Sequence, residues 1–293
     1  MKKLFLLLLI VPFYFVSCSD DDDISNKDIK LFVSNESDFI SVYLQGDGIV
    51  IDWGDGETET TENLKKPTLF SHRYEKAGNY TVSISTDELV VFSVDAYTVD
   101  NIDWGHSSLL DSLSISHLDV KSFDTRKYPN LRFLSIFNSP ELTSLDLNAA
   151  ARLKTLVVTE TSITNLDLSK NAKLTYLQCN KNKLQSLDLK GNLDLTYVYC
   201  KENEISSIDI SKNQKLGWLI CDNNKLESLD LSNNPLIGVI NVTYCNFSTD
   251  ALNSMFTSLP KDGNARGVYV ANNPGSLTCD PSIASAKGWI VNK

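Results

Sequence analysis

The chain has 293 residues, with 37 acidic and 27 basic side chains and a formal net charge of −10. That balance repels phosphate and so argues against a nucleic-acid partner, while 42% hydrophobic and 22% charged residues make a folded rather than a disordered composition. The acidity is uneven, because residues 101–293 hold 19 acidic and 19 basic side chains and are therefore neutral. The first predicted element is the 13-residue apolar run Leu4–Val16 behind Lys2 and Lys3. It is too short to cross a bilayer as a helix, which takes roughly 20 residues, and it fits a secretory signal over residues 1–17.

Ser17-Cys18 closes that run, and Ser19 with Asp20–Asp23 follows at once. A small residue before cysteine at this place resembles a bacterial lipobox, and the acidic run resembles the export tag of Bacteroidetes-type surface lipoproteins. The resemblance implies lipidation of Cys18, an acidic linker over residues 18–28, and a location on the outer membrane, exposed at the cell surface. The membrane is then touched only through the lipid. Ordinary signal cleavage and a solvated linker are the plain alternatives.

Residues 29–88 carry strand-like runs at Ile29–Val33, Phe39–Leu44, Ile49–Trp53 and Tyr80–Ile84. Between them stand Trp53-Gly54-Asp55-Gly56, His72-x-Tyr74 and Gly78-x-Tyr80-x-Val82. This order resembles the polycystic-kidney-disease (PKD) type of immunoglobulin-like β-sandwich, whose members serve as spacers or adhesion modules. The resemblance implies a structural role for these residues, with the Asp-Gly turn closing a hairpin and the aromatics filling the core. Calcium at Asp52 and Asp55 is the alternative. The segment is short, so either late strands are missing or the first repeat coil completes the sheet.

From Leu89 onward the chain repeats with a period of 21. The first apolar slot runs Leu153, Leu174, Leu195, Leu216, Ile237; the sixth runs Val158, Cys179, Cys200, Cys221, Val242; the ninth runs Thr161, Asn182, Asn203, Asn224, Cys245. This L-x-x-L-x-[L/C]-x-x-N-x-L pattern resembles the leucine-rich repeat. Leu131 opens a coil of 22, and Leu110 and Leu89 open two degenerate coils of 21. The expected fold is mainly β: a solenoid of 21-residue coils over residues 89–293, preceded by the small PKD-like sandwich. Each coil supplies a short strand with one apolar face, which only stacking can bury. The second half of each coil reads L-D-L-S-x-N. Asp103, Asp124, Asp146, Asp167, Asp188, Asp209 and Asp230 point outward there, either holding tight turns or forming a calcium ladder. We favour turns, and no metal or cofactor is expected. A helix over Thr249–Leu259, capped by Ser248 or Thr249, and the segment to Trp289-Ile290-Val291 close the solenoid from about residue 249.

There are six cysteines. Cys179, Cys200 and Cys221 share an apolar slot and read as packing residues; Cys245 and Cys279 could be bridged or free. Catalytic motifs are missing: there is no G-x-S-x-G, no H-E-x-x-H and no phosphate loop, and His72, His106 and His117 mark no nucleophile. Period-2 alternation turns slots three, five and seven of each coil outward on the concave sheet. They align Tyr176, Tyr197 and Trp218, with Tyr199 and Ile220 alongside, Phe133 and Phe137 upstream, and Gln178, Asn180, Lys201, Asp222 and Asn241 as polar neighbours. A contiguous exposed aromatic patch marks an interaction site; its alternative is cross-strand stacking that merely stabilises the sheet. The expectation is a non-catalytic recognition or adhesion lipoprotein whose concave face binds a protein or a glycan. The alternative is a polysaccharide-capture component of a glycan-uptake system.

Overall fold

The computed structural model describes residues 28–33, 39–95, 99–105, 107–117, 119–261 and 266–293. The signal, Cys18, the acidic run and His106 lie outside the described residues. Eight strands open the fold: β1 (Ile29–Val33), β2 (Phe39–Asp47), β3 (Ile49–Asp52), β4 (Thr58–Thr61), β5 (Leu64–Arg73), β6 (Tyr80–Ser85), β7 (Glu88–Asp95) and β8 (Val99–Trp104). Most alternate apolar and polar residues and so bury one face; Ile29, Leu31 and Val33 are buried on β1, and Ile40, Val42 and Leu44 on β2, whereas β4 is polar throughout and buries none. Five of them form an antiparallel sheet in the order β4-β3-β6-β1-β8. The other three run β5-β2-β7 and stand at one end of a twelve-stranded sheet.

The Trp53-Gly54-Asp55-Gly56 turn is shaped by its glycines. Gly54 has φ 84° and lies so close to Thr81 that a Cβ there would meet its carbonyl oxygen at 2.6 Å. Asp52 accepts the Gly54 N–H at 2.9 Å and Asp55 the Glu57 N–H at 3.1 Å, so both aspartates hold the turn itself. Trp53 is buried and stacks on His72, with ring centroids 5.1 Å apart. Tyr74 donates its hydroxyl to the Trp53 carbonyl at 2.9 Å, and His72 Nε2 lies 2.8 Å from Asp55 Oδ2. Trp53, Asp55, His72 and Tyr74 of these motifs are thus spent on local packing and bonding.

β7 is the joint of the molecule. It pairs antiparallel with β2 and parallel with the next strand of the same sheet, β9 (Ser112–Ser116). The first repeat coil therefore completes the sheet begun by β5 and β2. Its second half becomes β8 and returns to β1, which places Asp103 opposite Lys30 in the N-terminal sheet and outside the series of turn aspartates. One hydrophobic cluster runs without interruption from Ile29 to Trp289.

Beyond β9 come β10 (Ser122–Asp124), β11 (Phe133–Ser139), β12 (Ser144–Asp146), β13 (Thr155–Thr161), β14 (Tyr176–Gln178), β15 (Leu187–Asp188), β16 (Tyr197–Tyr199), β17 (Ile208–Asp209), β18 (Trp218–Ile220) and β19 (Val239–Asn241). After them stand α1 (Thr249–Ser258), β20 (Arg266–Tyr269), α2 (Ser282–Ser285) and β21 (Trp289–Asn292). Ten strands, β7, β9, β11, β13, β14, β16, β18, β19, β20 and β21, lie parallel side by side. Nine steps of roughly 4.8 Å carry this part of the sheet over about 43 Å. The repeat register and this parallel stacking define a solenoid of leucine-rich-repeat type.

Slots one, four and six fill its interior with Leu177 and Cys179, Val198 and Cys200, Leu219 and Cys221, and their equivalents, each essentially without solvent contact. Burying one such leucine or valine side chain stabilises the fold by about 1.5–3 kcal/mol. Cys245 and Cys279 are buried free thiols, like Cys179, Cys200 and Cys221. Two asparagine ladders secure the backbone. In slot nine, the Asn203 amide donates to the carbonyls of Cys179 at 2.9 Å and Cys200 at 3.1 Å, and Asn182, Asn224 and Asn273 repeat the arrangement. At the return turn, Asn171, Asn192, Asn213 and Asn234 each bond two carbonyls of the preceding coils. The outward aspartates act as turn residues: Asp124, Asp146, Asp167, Asp188, Asp209 and Asp230 each accept the N–H two residues on, at 2.9–3.0 Å.

α1 starts where Ser248 Oγ accepts the Ala251 N–H at 3.2 Å, and it buries Leu252, Met255 and Phe256. Lys287 Nζ donates to the carbonyls of Thr257 and Leu259 at its far end. The terminal segment does more than cover the core: Trp289–Asn292 pairs with β20 as a further parallel strand.

Candidate functional site

The slot columns emerge in the register the repeat implies. In slot three, Val91, Ser112, Phe133, Thr155, Tyr176, Tyr197, Trp218 and Val239 follow one another as direct cross-strand partners, and Gly267 and Ile290 extend the column. Tyr176 and Tyr197 have ring centroids 6.0 Å apart, tilted by 43°; Tyr197 and Trp218 are 6.1 Å apart, tilted by 54°. Tyr199 of slot five leans against Tyr176 at 5.5 Å. The four rings make one tilted-stacked block, worth about 0.5–1.5 kcal/mol per pair beyond the area they bury. Within it, Tyr197 and Trp218 remain 38% and 43% exposed, so stacking does not bury them.

Around the block the polar groups are organised. Tyr176 donates its hydroxyl to Gln178 Oε1 at 2.8 Å, and Gln178 Nε2 points to Thr159 Oγ1 at 3.5 Å. Burial pushes the Tyr176 and Tyr199 hydroxyls above the ordinary tyrosine value, with Tyr199 adding to the first and Tyr197 to the second, so both rings stay neutral donors. On the far side, Asp222 Oδ1 accepts from Asn241 Nδ2 at 3.2 Å and Oδ2 from Asn223 Nδ2 at 2.8 Å. Asn241 Oδ1 in turn accepts the Thr243 N–H at 3.0 Å. Lys201 Nζ lies 3.4 Å from Glu202.

Two named groups stand apart. Asn180 is buried and its Oδ1 holds the Lys201 N–H at 3.0 Å, so its amide serves the sheet. Phe133 and Phe137 are half-buried on β11, separated from Tyr176 by Thr155 and Thr159 of β13. Conversely, exposed apolar residues of this face escape the sequence argument, Tyr269, Tyr43 and Leu69 among them. Tyr269 is the cross-strand partner of Asn241 in slot five; extending that column by one coil would have found it. Tyr43 pairs with Ser93 and Leu69 with Tyr43, so both share the slot-five face at the other end of the sheet. Their antiparallel pairing has no 21-residue signature. Among the described residues, no three His, Cys, Asp or Glu side chains gather as a metal site.

No protein-family model and no curated protein sequence matches the chain. Several solved structures do. The functional domain of InlJ from Listeria monocytogenes, which includes a cysteine ladder, is 18% identical over 75% of this chain and 56% of that one, with a TM-score of 0.46. An internalin (InlF) from the same organism is 18% identical over 64% of this chain and 61% of that one, at 0.47. A leucine-rich-repeat protein of Leptospira interrogans is 14% identical over 64% and 55%, at 0.42. The match spans under two thirds of each of these structures.

Proposed function

We propose that the protein is a non-catalytic recognition module that takes its ligand on the concave sheet. One observation carries this: Tyr197 and Trp218 stand in direct cross-strand register within the ten parallel strands and both remain exposed, on a support that is already stacked and hydrogen-bonded. A rigid aromatic anchor loses little conformational entropy on binding. The ligand is a protein or a glycan, and catalysis has no part in it. The lipobox-like Ser17-Cys18 and the acidic run Asp20–Asp23 support display at the outer surface on a lipid anchor. The PKD-like motifs support reading residues 29–88 as the module that carries the sheet away from that anchor.

The test presents the purified protein to an array of glycans and an array of secreted proteins, beside the double variant Tyr197→Ala, Trp218→Ala. The expected result is a set of bound spots that the double variant loses. Bound spots that it keeps would overturn the concave assignment. Protease treatment of intact cells tests display, and complete protection of the chain would refute it.

A further inference from the structure

Resting on the concave-face reading, we infer that the ligand is a neutral, hydroxyl-rich polysaccharide chain, with one sugar ring lying on Trp218 and Tyr197 and its hydroxyls turned to Asp222 and Asn241. Three features of the face converge on this class.

The first is charge. At slots three, five and seven of the ten parallel strands, the ionised residues are Asp95, Lys201 and Asp222 alone, with no arginine and no glutamate. Each is already engaged: Asp95 with His117 at 2.7 Å, Lys201 with Glu202 at 3.4 Å, and Asp222 with Asn223 and Asn241. An acidic or basic polymer finds no spare counter-charge here.

The second is the company the aromatics keep. Protein-binding hot spots draw on Trp, Tyr and Arg and are poor in Ser and Thr. This face joins its Trp and Tyr residues to the part-exposed Ser93, Ser112, Ser114 and Ser116 and to Thr155 and Thr243 instead. Hydroxyls and amides both donate and accept, which suits a ligand whose own polar groups are hydroxyls.

The third is geometry. Trp218 and Ile220 alternate along β18 with Asp222 two residues beyond its end, and Asn241 sits on the next strand as the partner of Ile220. A pyranose ring is amphipathic in the same sense, with an axial C–H face and an equatorial rim of hydroxyls. Its C–H face suits the negative face of an aromatic ring, and a carboxylate paired with an amide presents adjacent acceptors and a donor to neighbouring hydroxyls. The ring column runs across the strands rather than along one, and its slot continues through Thr155 and Phe133 to Ser112 of β9. That shape takes a chain, not a single sugar.

The experiment is affinity gel electrophoresis of the purified protein through gels holding single polysaccharides: neutral glucans, mannans, galactans and xylans in one set, pectate and heparin in the other. The expected result is retardation by a neutral polymer that is unchanged between low and 0.5 M salt, since no ionic contact is being screened (about 10 Å Debye length at 0.1 M). Trp218→Ala and Tyr197→Ala should each lower the association constant about tenfold or more, whereas Leu277→Ala in the exposed cap should not. Asn241→Ala leaves every ring in place and should weaken retardation severalfold, which guards against a ring variant that misfolds. Retardation by none of the neutral polymers, or only by pectate or heparin in a salt-sensitive way, overturns the inference. Capture of a protein that Trp218→Ala abolishes, without glycan retardation, overturns the ligand class and leaves the concave site standing. Neutral retardation untouched by all three face variants overturns the site itself.

Discussion

At the residue scale, the turn aspartates tie folding to pH. Asp167 and Asp209 sit below the ordinary carboxylate value of 3.8. Bonds from the Ser169 backbone and then side chain hold the first, and bonds from the Ser211 side chain and then backbone hold the second. A carboxyl depressed in the folded state stabilises the fold above its unfolded value and loses that contribution as protons bind. Stability should therefore be level at neutral pH and fall as pH drops through and below 3.8, with Asp209→Asn flattening part of that fall; urea midpoints at pH 7, 4 and 3 measure it. The thiols behave oppositely. Burial, followed by the charge of Asp222, pushes Cys245 up to about 11, and Cys179 and Cys221 are raised as well. At pH 8 a thiol reagent should label none of the five repeat and cap cysteines in the native protein, and all five in guanidinium. Rapid native labelling would show that the coils open far more readily than their packing implies.

At the scale of the coil, the apolar slots and the slot-nine asparagines were legible because each repeats a side-chain type at a fixed period. The return-turn ladder was only half legible. The L-D-L-S-x-N spacing marked Asp and Asn alike, yet the roles diverge: Asp209 stays exposed and serves its own turn, while Asn213 is fully buried and bonds Leu189 O at 3.0 Å and Asn192 O at 2.9 Å. Nothing in the residue type announces that difference. It follows from which side of the turn faces the core. Asn213→Ala removes one of two donors from each of two carbonyls, which keep only the N–H groups of Asn192 and Leu195, and should lower stability by about 1–2 kcal/mol, whereas Asp209→Ala on the exposed side should cost clearly less; paired denaturation curves decide. Slot eight was not legible at all. His117, Asn138, Glu160, Lys181, Glu202, Asn223, Tyr244 and Asn272 all have φ between 49° and 59°. A sequence reader expects glycine or asparagine at such positions, but the turn here is imposed by the coils above and below.

At the scale of the molecule, the joining role of strand β7 was legible only as one of two alternatives, because its period-21 register says nothing of an antiparallel partner upstream and only the shortness of residues 29–88 pointed to the first repeat coil. Since β7 belongs to both sheets and the hydrophobic cluster is continuous, residues 29–88 do for the N-terminal end of the solenoid what α1 does for the other: they close it. A fragment beginning at residue 89 would expose the Leu89, Phe92 and Val94 side of the first coil, and terminal coils without caps are poorly soluble. Expression of residues 89–293 should yield aggregated protein, and the full chain should melt in one cooperative step. A soluble, folded fragment, or a two-step melt of the whole, would mean that the two parts are stable alone.

The alternation along each concave strand has a consequence for how such a surface can change over time. Inward residues and the two asparagine ladders set the shape of a coil, and the residues between them contribute little to it. Instructions for folding and, on the reading proposed above, for recognition are therefore written on alternate letters of the same strand. Substitutions at 176, 197, 218 or 241 can redraw what the face accepts while the scaffold stays as it is, and duplication of one 21-residue coil lengthens that face by a strand at a stroke. A protein built this way can follow a shifting ligand without having to be refolded to do so.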